Sequence, residues 1–324
     1  MISLLSRLVP DRFVLILITT VAVAAILPAR GVAADWVDGA ATLAIMLLFF
    51  FYGAKIPREA VLTALSHWRL HVTILAASFV LFPLLGLGLE ALMPGMLTPA
   101  LWTGVLFLCA LPSTVQSSIV FTSIAGGNVA GAIAAASASN LIGIVATPLL
   151  VGLLAHRRDT GMTGGGIGAI AIELLLPFAL GQVARTWIAP VIERHRKLIG
   201  YSDRSTIILA VYSAFSAAVV GGLWSRIDPV MLVRLLLVCA LLLGLALGLT
   251  RLAARLLGFD RADTLAILFC GSKKSLVSGI PMARVLFAGP DAGLILLPLM
   301  LFHQIQLMAC AAIANGYARN NRQS

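Results

Sequence analysis

Long apolar segments constrain the fold of this chain more than any other feature of its sequence. Ten such segments follow one another, and most approach or exceed the roughly 20 residues that a helix needs to cross a bilayer. They cover residues 13–28, 37–54, 70–92, 100–124, 128–155, 167–186, 205–223, 230–256, 262–287 and 291–316. Backbone groups in hydrocarbon must pair within the protein, and these segments are too long for barrel strands. The sequence therefore predicts an all-α polytopic membrane protein with ten transmembrane helices.

The composition agrees with this fold class. Of the 324 residues, 60% are hydrophobic and 11% are charged, and the mean hydropathy is +1.03. A soluble domain has about 25% charged residues, so a soluble globular protein is excluded. The net charge of +10 does not indicate nucleic acid, because the basic residues are scattered between the apolar segments. The four cysteines lie inside apolar segments at spacings that fit neither a zinc site nor a disulfide framework.

The basic residues between the segments predict an orientation. If the N-terminus is cytoplasmic, most of these residues lie on the cytoplasmic side, so the positive-inside rule places both termini there. Arg157 and Arg158 are a local exception. Segment 13–28 has features of a secretory signal, but an uncleaved span fits better because many spans follow it. We expect an integral protein of a cell membrane, specifically the inner (plasma) membrane of a prokaryote.

Two short patterns recur at a spacing of about 160 residues. Residues 125–131 are echoed by residues 288–293, and residues 84–89 are echoed by residues 245–249. Each half then contains five spans, and an odd number of crossings inserts the second half upside down, as in many secondary transporters. The predicted inverted five-helix repeats are residues 1–156 and 157–324.

The fourth and ninth segments are each interrupted by polar residues and prolines. Pro112 lies in LPSTVQSS at 111–118, and GSKKS at 271–275 is followed by Pro281. In inverted-repeat transporters, interrupted segments at corresponding places mark the substrate site. A half-helix that begins in the membrane attracts an anion, and one that ends there attracts a cation. The alternative is that both prolines only kink packed helices whose serines satisfy the freed carbonyls.

Lys273 and Lys274 lie at the centre of the ninth segment. Charged groups at membrane depth cost about 2.5–3.5 kcal/mol each on insertion scales and face a bundle interior or a watery cavity. We interpret these lysines as binding an anionic substrate or coupling its movement; the alternative is a structural counter-charge to helix carbonyls. The candidate substrate- or ion-binding residues are Ser113, Thr114, Gln116, Ser117, Ser118, Ser137, Asn140, Ser272, Lys273, Lys274 and Ser275.

The fifth segment contributes hydroxyl and amide groups. Ser137 and Asn140 are three residues apart and therefore share one face of a helix, where they could line a cavity. A single interhelical hydrogen bond made by Asn140 is an equally good interpretation. Three polar residues of the tenth segment either face the lysines or pack between helices: His303, Gln304 and Gln306.

Five stretches are specific enough to indicate a family. They are FFFYGAKI at 49–56, LPSTVQSS at 111–118, GNVA at 127–130, LLLPF at 174–178 and FCGSKKSL at 269–276. In these stretches, and over nearly its whole length, the chain resembles the bile acid:sodium symporter superfamily, especially its cotransporter-7-like branch. The resemblance implies that the fourth and ninth helices cross at their breaks. It also implies a core domain (about 70–155 and 230–316) and a panel domain (about 13–54 and 167–223).

The resemblance also implies an ion site from which this chain departs. In the sodium-coupled branch, groups of the fourth and fifth helices join an acidic residue and a glutamine of the ninth to hold two sodium ions. The corresponding positions fall near Ser117, Ser118, Ala136 or Ser137, Asn140, Phe269 and Lys273. Here the acidic ligand appears as Phe269, and the amide positions appear as Lys273 and Lys274. We infer that one ammonium takes the place of a sodium ion and either stabilises the crossing permanently or titrates during transport; sodium near Ser117, Ser118 and Asn140 stays possible.

The predicted function is secondary active transport of an organic anion, bile-acid-like or another small carboxylate or sulfo-conjugate, by alternating access. The alternatives are a classical sodium-coupled symporter and a non-transporting membrane regulator of the same fold. An enzyme with Ser272 or Ser275 as nucleophile is disfavoured because no third orienting group can be named. We expect no cofactor and either sodium or a proton as the coupling ion. The expected partners are the organic anion and the lipid bilayer, without nucleic acid or an obligate protein.

Overall fold

The computed structural model describes residues 12–55, 67–155, 171–222, 228–287 and 291–320, and these residues contain helices but no strand. This confirms the all-helical class. A π-helical turn, Ala171–Leu175, directly precedes the helix that begins at Leu176. In chain order the helices are α1 (Arg12–Ile26), α2 (Val32–Lys55), α3 (Trp68–Leu92), α4 (Pro99–Ala110), α5 (Gln116–Ala125), α6 (Val129–Ala155), α7 (Leu176–Arg194), α8 (Arg196–Val220), α9 (Pro229–Leu256), α10 (Arg261–Gly271), α11 (Leu276–Leu286) and α12 (Ala292–Asn320).

Six of the described helices, namely α2, α3, α6, α8, α9 and α12, are long and apolar enough to cross a membrane. Two further helices, α1 and α4, are apolar but shorter. The chain is therefore a polytopic membrane protein. The ten-span inverted repeat stays a prediction. The predicted start of the sixth span at 167 and the Arg157–Arg158 pair lie outside the described residues.

The fourth and ninth predicted spans are broken where the sequence predicted. α4 ends at Ala110 because Pro112 has no N–H to continue the helix, and α5 begins at Gln116. α10 ends at Gly271, and α11 begins at Leu276 after four non-helical residues. Each predicted span is therefore a pair of short helices separated by an extended or turned segment.

Contacts divide the chain into two compact units. In the first unit, α2 packs against α7 and α8, and α8 packs against α1. In the second unit, α3, α6 and α10 enclose a core that includes Leu70, Ala135 and Ile267. The core and panel domains that the resemblance implies stay a prediction, and residues 280–296, which the resemblance places in the core, group with the first unit. The first unit is Met1–Ile56, Gly161–Asp228 and Ile280–Leu296, and the second is Pro57–Thr160, Pro229–Gly279 and Leu297–Ser324.

Two glycines allow α2 and α7 to pack closely in the first unit. A Cβ atom on Gly53 would overlap the carbonyl oxygen of Phe178, and a Cβ atom on Gly181 would overlap the carbonyl oxygen of Phe50. The arrangement is reciprocal, with each glycine three residues after the carbonyl that the other contacts. Small residues let helix backbones approach in this way in membranes. The FFFYGAKI and LLLPF stretches thus lie at one helix–helix contact.

Candidate functional site

The two breaks contact each other within the second unit. The N–H of Ser275 donates to the carbonyl of Pro112 at 2.9 Å. In return, the Thr114 hydroxyl donates to the carbonyl of Lys274 at 2.7 Å. Each non-helical segment therefore satisfies the backbone of the other, and we call this contact between the two breaks the crossing. That the broken helices cross there as whole spans, as the resemblance implies, stays a prediction.

Side chains from α6 and from the second break bind the carbonyls at the end of α4. The last four carbonyls of a helix have no partner within it, and the proline that follows cannot provide one by continuing the helix. The Thr147 hydroxyl of α6 donates to the Ala110 carbonyl at 2.8 Å. The Lys274 ammonium donates to the carbonyls of Cys109 at 2.8 Å and of Leu111 at 2.7 Å. The buried end of α4 is thus held by a hydroxyl and a cation.

Ser113 of the first break and Ser118 in the first turn of α5 bind the carbonyls at the end of α10. Ser113 Oγ donates to the Cys270 carbonyl at 2.6 Å, and Ser118 Oγ donates to the Phe269 carbonyl at 2.9 Å. Both serines are fully buried. Side chains from each break therefore bind carbonyls at the helix end that precedes the other break, and an ammonium takes part only at the end of α4.

The Lys274 ammonium lies in a cage of backbone oxygens. Besides the carbonyls of Cys109 and Leu111 at the end of α4, it donates to the Ser78 carbonyl of α3 at 2.7 Å. The ring of Phe82 covers it, with Nζ 4.1 Å from the ring centroid. A lysine ammonium has three N–H donors, so all three are satisfied. The side chain is fully buried, and no carboxylate of the described residues forms an ion pair with it.

The Ser78 carbonyl is available because α3 contains a π-helical turn, Ala77–Leu81. The N–H of Phe82 donates to the first carbonyl of that turn. Pro83 has no N–H, so the next carbonyl, that of Ser78, receives no bond from the following turn. Lys274 satisfies a group that would otherwise be buried without a partner. Pro83 is the sequence signal for this acceptor, and it is not among the predicted site residues.

Gln306 of α12 holds the backbone of Lys274 with both atoms of its amide. The Lys274 N–H donates to Gln306 Oε1 at 2.9 Å, and Gln306 Nε2 donates to the Lys274 carbonyl at 2.9 Å. His303 Nδ1 lies 2.9 Å from the same Nε2. Gln306 is fully buried. Of the three polar residues of the tenth segment, Gln306 is therefore the one that hydrogen-bonds to the backbone of Lys274 in the described residues.

Lys273 lies in a different environment. Its ammonium donates to Ser117 Oγ at 2.6 Å and lies 4.2 Å from the centroid of the Phe121 ring. The lysine is fully buried, while Ser117 is half-buried. Within the described ranges this is the one hydrogen bond of Lys273 Nζ, and no carboxylate lies within ion-pair distance. Two of its three donors therefore remain for other partners.

α6 brings Asn140 to the crossing but not Ser137. Asn140 Nδ2 donates to the Ser113 carbonyl at 2.6 Å, and its Oδ1 accepts from Ser278 Oγ at 2.7 Å. Ser139 Oγ accepts from the Ser113 N–H at 3.0 Å. Ser137 is exposed, because it lies on a different face of α6 from the buried Ser139. Ser139 and Ser278 thus belong to the site, although the predicted site residues omit both.

The remaining predicted site residues divide between helix ends and the surface. Ser272 Oγ donates to the Leu268 carbonyl at 2.5 Å, and Ser275 Oγ donates to Ser278 Oγ at 3.0 Å. No hydrogen bond joins either hydroxyl to a lysine ammonium in the described part of the chain. Gln116, at the start of α5, is exposed. These contacts serve the helix ends and do not align a serine nucleophile with a lysine base.

The positions that correspond to sodium ligands hold other contacts. Ser117 Oγ accepts a hydrogen bond from Lys273, and Ser118 Oγ donates to a backbone carbonyl. Phe269, in the place of the acidic ligand, packs against Phe121 with ring centroids 6.1 Å apart. The described residues contain no group of three or more His, Cys, Asp or Glu side chains that could hold a metal ion. These contacts differ from the ligand set that the resemblance implies for the two-sodium site.

Comparison with known proteins gives the family. The family model described as the SBF-like CPA transporter family matches residues 11–319. The chain belongs to this family. Protein PA2026 of Pseudomonas aeruginosa, described as uncharacterized, is 51% identical over 314 residues, which cover 97% of this chain and 94% of the relative. The putative symporter YfeH of Escherichia coli is 47% identical, again over 97% and 94% of the two chains.

A more distant relative connects the family with the predicted superfamily. Sodium/bile acid cotransporter 7 of Rattus norvegicus is 28% identical over 314 residues, which cover 94% of this chain and 92% of the relative. The resemblance to the bile acid:sodium symporter superfamily and its cotransporter-7-like branch is thereby confirmed. The chain is a membrane protein of a transporter family, and the family offers no support for an enzyme.

Proposed function

We propose that this protein is a secondary active transporter that moves an organic anion across the membrane by alternating access, with a lysine ammonium in place of a coupling sodium ion. Bile-acid-like compounds and other small carboxylates or sulfo-conjugates are the proposed substrate class. The observation that carries the proposal is the cage of three carbonyl oxygens around the ammonium of Lys274. Membership of a transporter family supports the transport activity itself.

The cage supports independence from sodium. Backbone carbonyls replace the hydration shell of alkali cations in membrane proteins, and the negative end of a helix dipole attracts a cation. Here the carbonyls at the end of α4 surround an ammonium that is covalently tied to the chain. The crossing is therefore held together without an ion that binds and leaves. A sodium ion at the same oxygens would have to displace the lysine.

The charge balance of the crossing supports an anionic substrate. Both lysines are fully buried, and the described residues place no carboxylate within ion-pair distance of either one. In addition, α5 and α11 begin at the breaks, so their positive dipole ends point toward the crossing. A cationic substrate would be repelled by this arrangement.

The two lysines differ in their capacity to take part in transport. Lys274 uses all three donors on carbonyls and therefore serves the crossing permanently. Lys273 uses one donor on a half-buried serine. We therefore assign to Lys273 the contact with the anion or the proton that couples its movement. The coupling ion under this proposal is a proton.

Uptake by purified protein in liposomes tests the proposal. Taurocholate, a short carboxylate and a sulfate ester are supplied under an imposed proton gradient or sodium gradient, to the wild type and Lys273→Gln. Ser137→Ala is the control, because Ser137 lies on α6 three residues before Asn140 but is exposed. We expect uptake of at least one anion that is driven by the proton gradient and does not depend on sodium. This uptake is lost in Lys273→Gln and retained in Ser137→Ala.

Two results would contradict the proposal in different ways. Sodium-driven uptake that survives both Lys273→Gln and Lys274→Gln would return the protein to the classical sodium-coupled mechanism. The absence of flux for every anion under both gradients, with correctly folded protein, would favour a non-transporting regulator of the same fold.

The proposed location is the inner membrane of a prokaryote with both termini in the cytoplasm. The distribution of basic residues between the apolar segments supports this orientation. Fusion of alkaline phosphatase or a fluorescent protein to the C-terminus tests it. Fluorescence without phosphatase activity is expected, and phosphatase activity at the C-terminus would contradict the orientation.

A further inference from the structure

Five exposed arginines gather at the end of the second unit where α9 ends and α10 begins. The Arg69 guanidinium donates to the Leu257 carbonyl at 2.7 Å, which brings the start of α3 to this end. The guanidinium carbons of Arg251 and Arg261 each lie 5.9 Å from the centroid of the Tyr317 ring, which brings the end of α12 there as well. We call this group the arginine rim: Arg69, Arg251, Arg255, Arg261 and Arg319.

The rim lies where α9 reaches the membrane surface. α9 has 28 residues, and at 1.5 Å per residue it is roughly 42 Å long, which exceeds the ~30 Å hydrocarbon core. Its last turns alternate exposed arginines with exposed leucines, with Leu252 at 50% and Leu256 at 78% exposure. Trp68, at the start of α3, is 62% exposed. Exposed tryptophan beside arginine and leucine is typical of the headgroup layer.

Two aspartates at this end are occupied by the helix structure. Asp260 caps α10 by accepting from the Asp263 N–H at 2.7 Å. Asp263 Oδ1 accepts from Asn128 Nδ2 at 2.7 Å, which ties α10 to the start of α6. The five arginines outnumber these two carboxylates, so the described part of this end keeps a net positive charge.

Aromatic rings orient several of the guanidinium groups. Tyr317 is shared by two arginines, and Phe259 lies 5.4 Å from the Arg69 guanidinium carbon. A guanidinium beside a ring keeps a fixed fork of N–H donors, and that fork matches the two oxygens of a phosphate group. The rim therefore offers preorganised phosphate donors next to exposed leucines.

We propose that the arginine rim binds the phosphate groups of anionic phospholipids, such as phosphatidylglycerol, whose acyl chains lie along the exposed leucines of α9. Basic groups near a membrane surface each contribute about 1 kcal/mol of attraction to anionic lipid. The leucines favour a lipid over a soluble phosphate, because a soluble anion would leave them uncovered. This binding is independent of the transported substrate and of the crossing.

Lipid titration of the purified protein in neutral detergent tests the proposal. Phosphatidylglycerol, phosphatidylcholine and inorganic phosphate are added separately, and bound lipid is counted by native mass spectrometry while the melting temperature is recorded. The variant is Arg251→Gln combined with Arg255→Gln. The matched control is Arg234→Gln, an exposed arginine near the other end of the same helix.

The wild type is expected to bind phosphatidylglycerol in preference to phosphatidylcholine and to melt at a higher temperature with it. At about fivefold per arginine, the double variant loses roughly 20- to 30-fold in affinity for phosphatidylglycerol, and Arg234→Gln, a single arginine outside the rim, loses at most about fivefold. The preference fades at high salt, because the arginines are exposed. A variant that retains the charge, Arg251→Lys with Arg255→Lys, is expected to bind between the wild type and the glutamine variant.

Several outcomes would overturn the proposal. These are equal binding of the two lipids by the wild type, an unchanged preference in the glutamine variant, or an equal loss in Arg234→Gln. Stabilisation by inorganic phosphate as large as that by phosphatidylglycerol would assign the rim to a soluble anion instead. If the glutamine variant does not purify, unchanged phosphatidylglycerol binding by the lysine variant overturns the proposal on its own.

Discussion

Lys273 and Lys274 are consecutive residues, yet their ammonium groups lie in environments that differ in kind. The Lys274 ammonium has three carbonyl partners, one for each donor, whereas the Lys273 ammonium donates to a single hydroxyl. Both lie over an aromatic ring and both are fully buried. A buried charge is tolerated when its hydrogen bonds are complete and is expensive when they are not. Lys274 therefore supports the structure, whereas the incomplete hydrogen bonding of Lys273 suggests a role in transport.

The largest expected effect follows from removing the completed lysine. Lys274→Met leaves the carbonyls of Ser78, Cys109 and Leu111 without their donor, and each unsatisfied group costs about 1–3 kcal/mol. We expect a loss of about 3 kcal/mol or more in stability. A thiol-reactive dye measures the melting temperature, because Cys109, Cys239, Cys270 and Cys310 are all buried and react only on unfolding.

Lys273→Met is the matched control for that measurement. It removes a charge of the same type from the neighbouring position, but it leaves only Ser117 Oγ without its donor, and Ser117 is half-buried and can bind water. We expect a melting temperature equal to or above that of the wild type, because the change also removes a buried charge whose hydrogen bonds are incomplete. If both variants melt at the same lowered temperature, the separation of a structural lysine from a functional one is wrong.

A smaller loss of stability is expected from Gln306→Leu. This change removes the amide that pairs with both the N–H and the carbonyl of Lys274, so two buried backbone groups lose one partner each. The carbonyl keeps its bond from the Thr114 hydroxyl, and the expected loss is therefore about 2 kcal/mol, less than for Lys274→Met. The same melting assay measures it. Gln306→Glu retains the acceptor for the N–H and is expected to fall between Gln306→Leu and the wild type.

The breaks themselves could be predicted from sequence because their signals are local. Pro112 and the GSKKS stretch interrupt apolar segments whatever surrounds them, and both lysines, Ser113 and Asn140 do meet at the crossing. The spacing of Ser137 and Asn140 predicts that the two residues share a helix face, but it does not predict which face is buried. The prediction therefore included Ser137, which is exposed. The orientation of the two lysine side chains depends on contacts with α3 and α5, which the local sequence does not contain.

The Ser78 carbonyl provides the smallest and most specific test of the comparison. In Pro83→Ala the new N–H at position 83 can bond the Ser78 carbonyl, so α3 no longer depends on the lysine for that group. In the wild type we expect a small change. In the Lys274→Met background we expect Pro83→Ala to restore about 1 kcal/mol, because one of the three unpaired carbonyls regains a donor.

A double-mutant cycle of these two changes measures that coupling. Pro83→Ala in the Lys273→Met background is the control, since Lys273 donates to Ser117 and not to α3. Coupling with Lys274 but not with Lys273 would show that the missing proline N–H and the lysine ammonium act on the same carbonyl. Equal coupling with both lysines would mean that Pro83 changes α3 as a whole. The bond from Lys274 to the Ser78 carbonyl would then not account for the stability that Lys274 contributes.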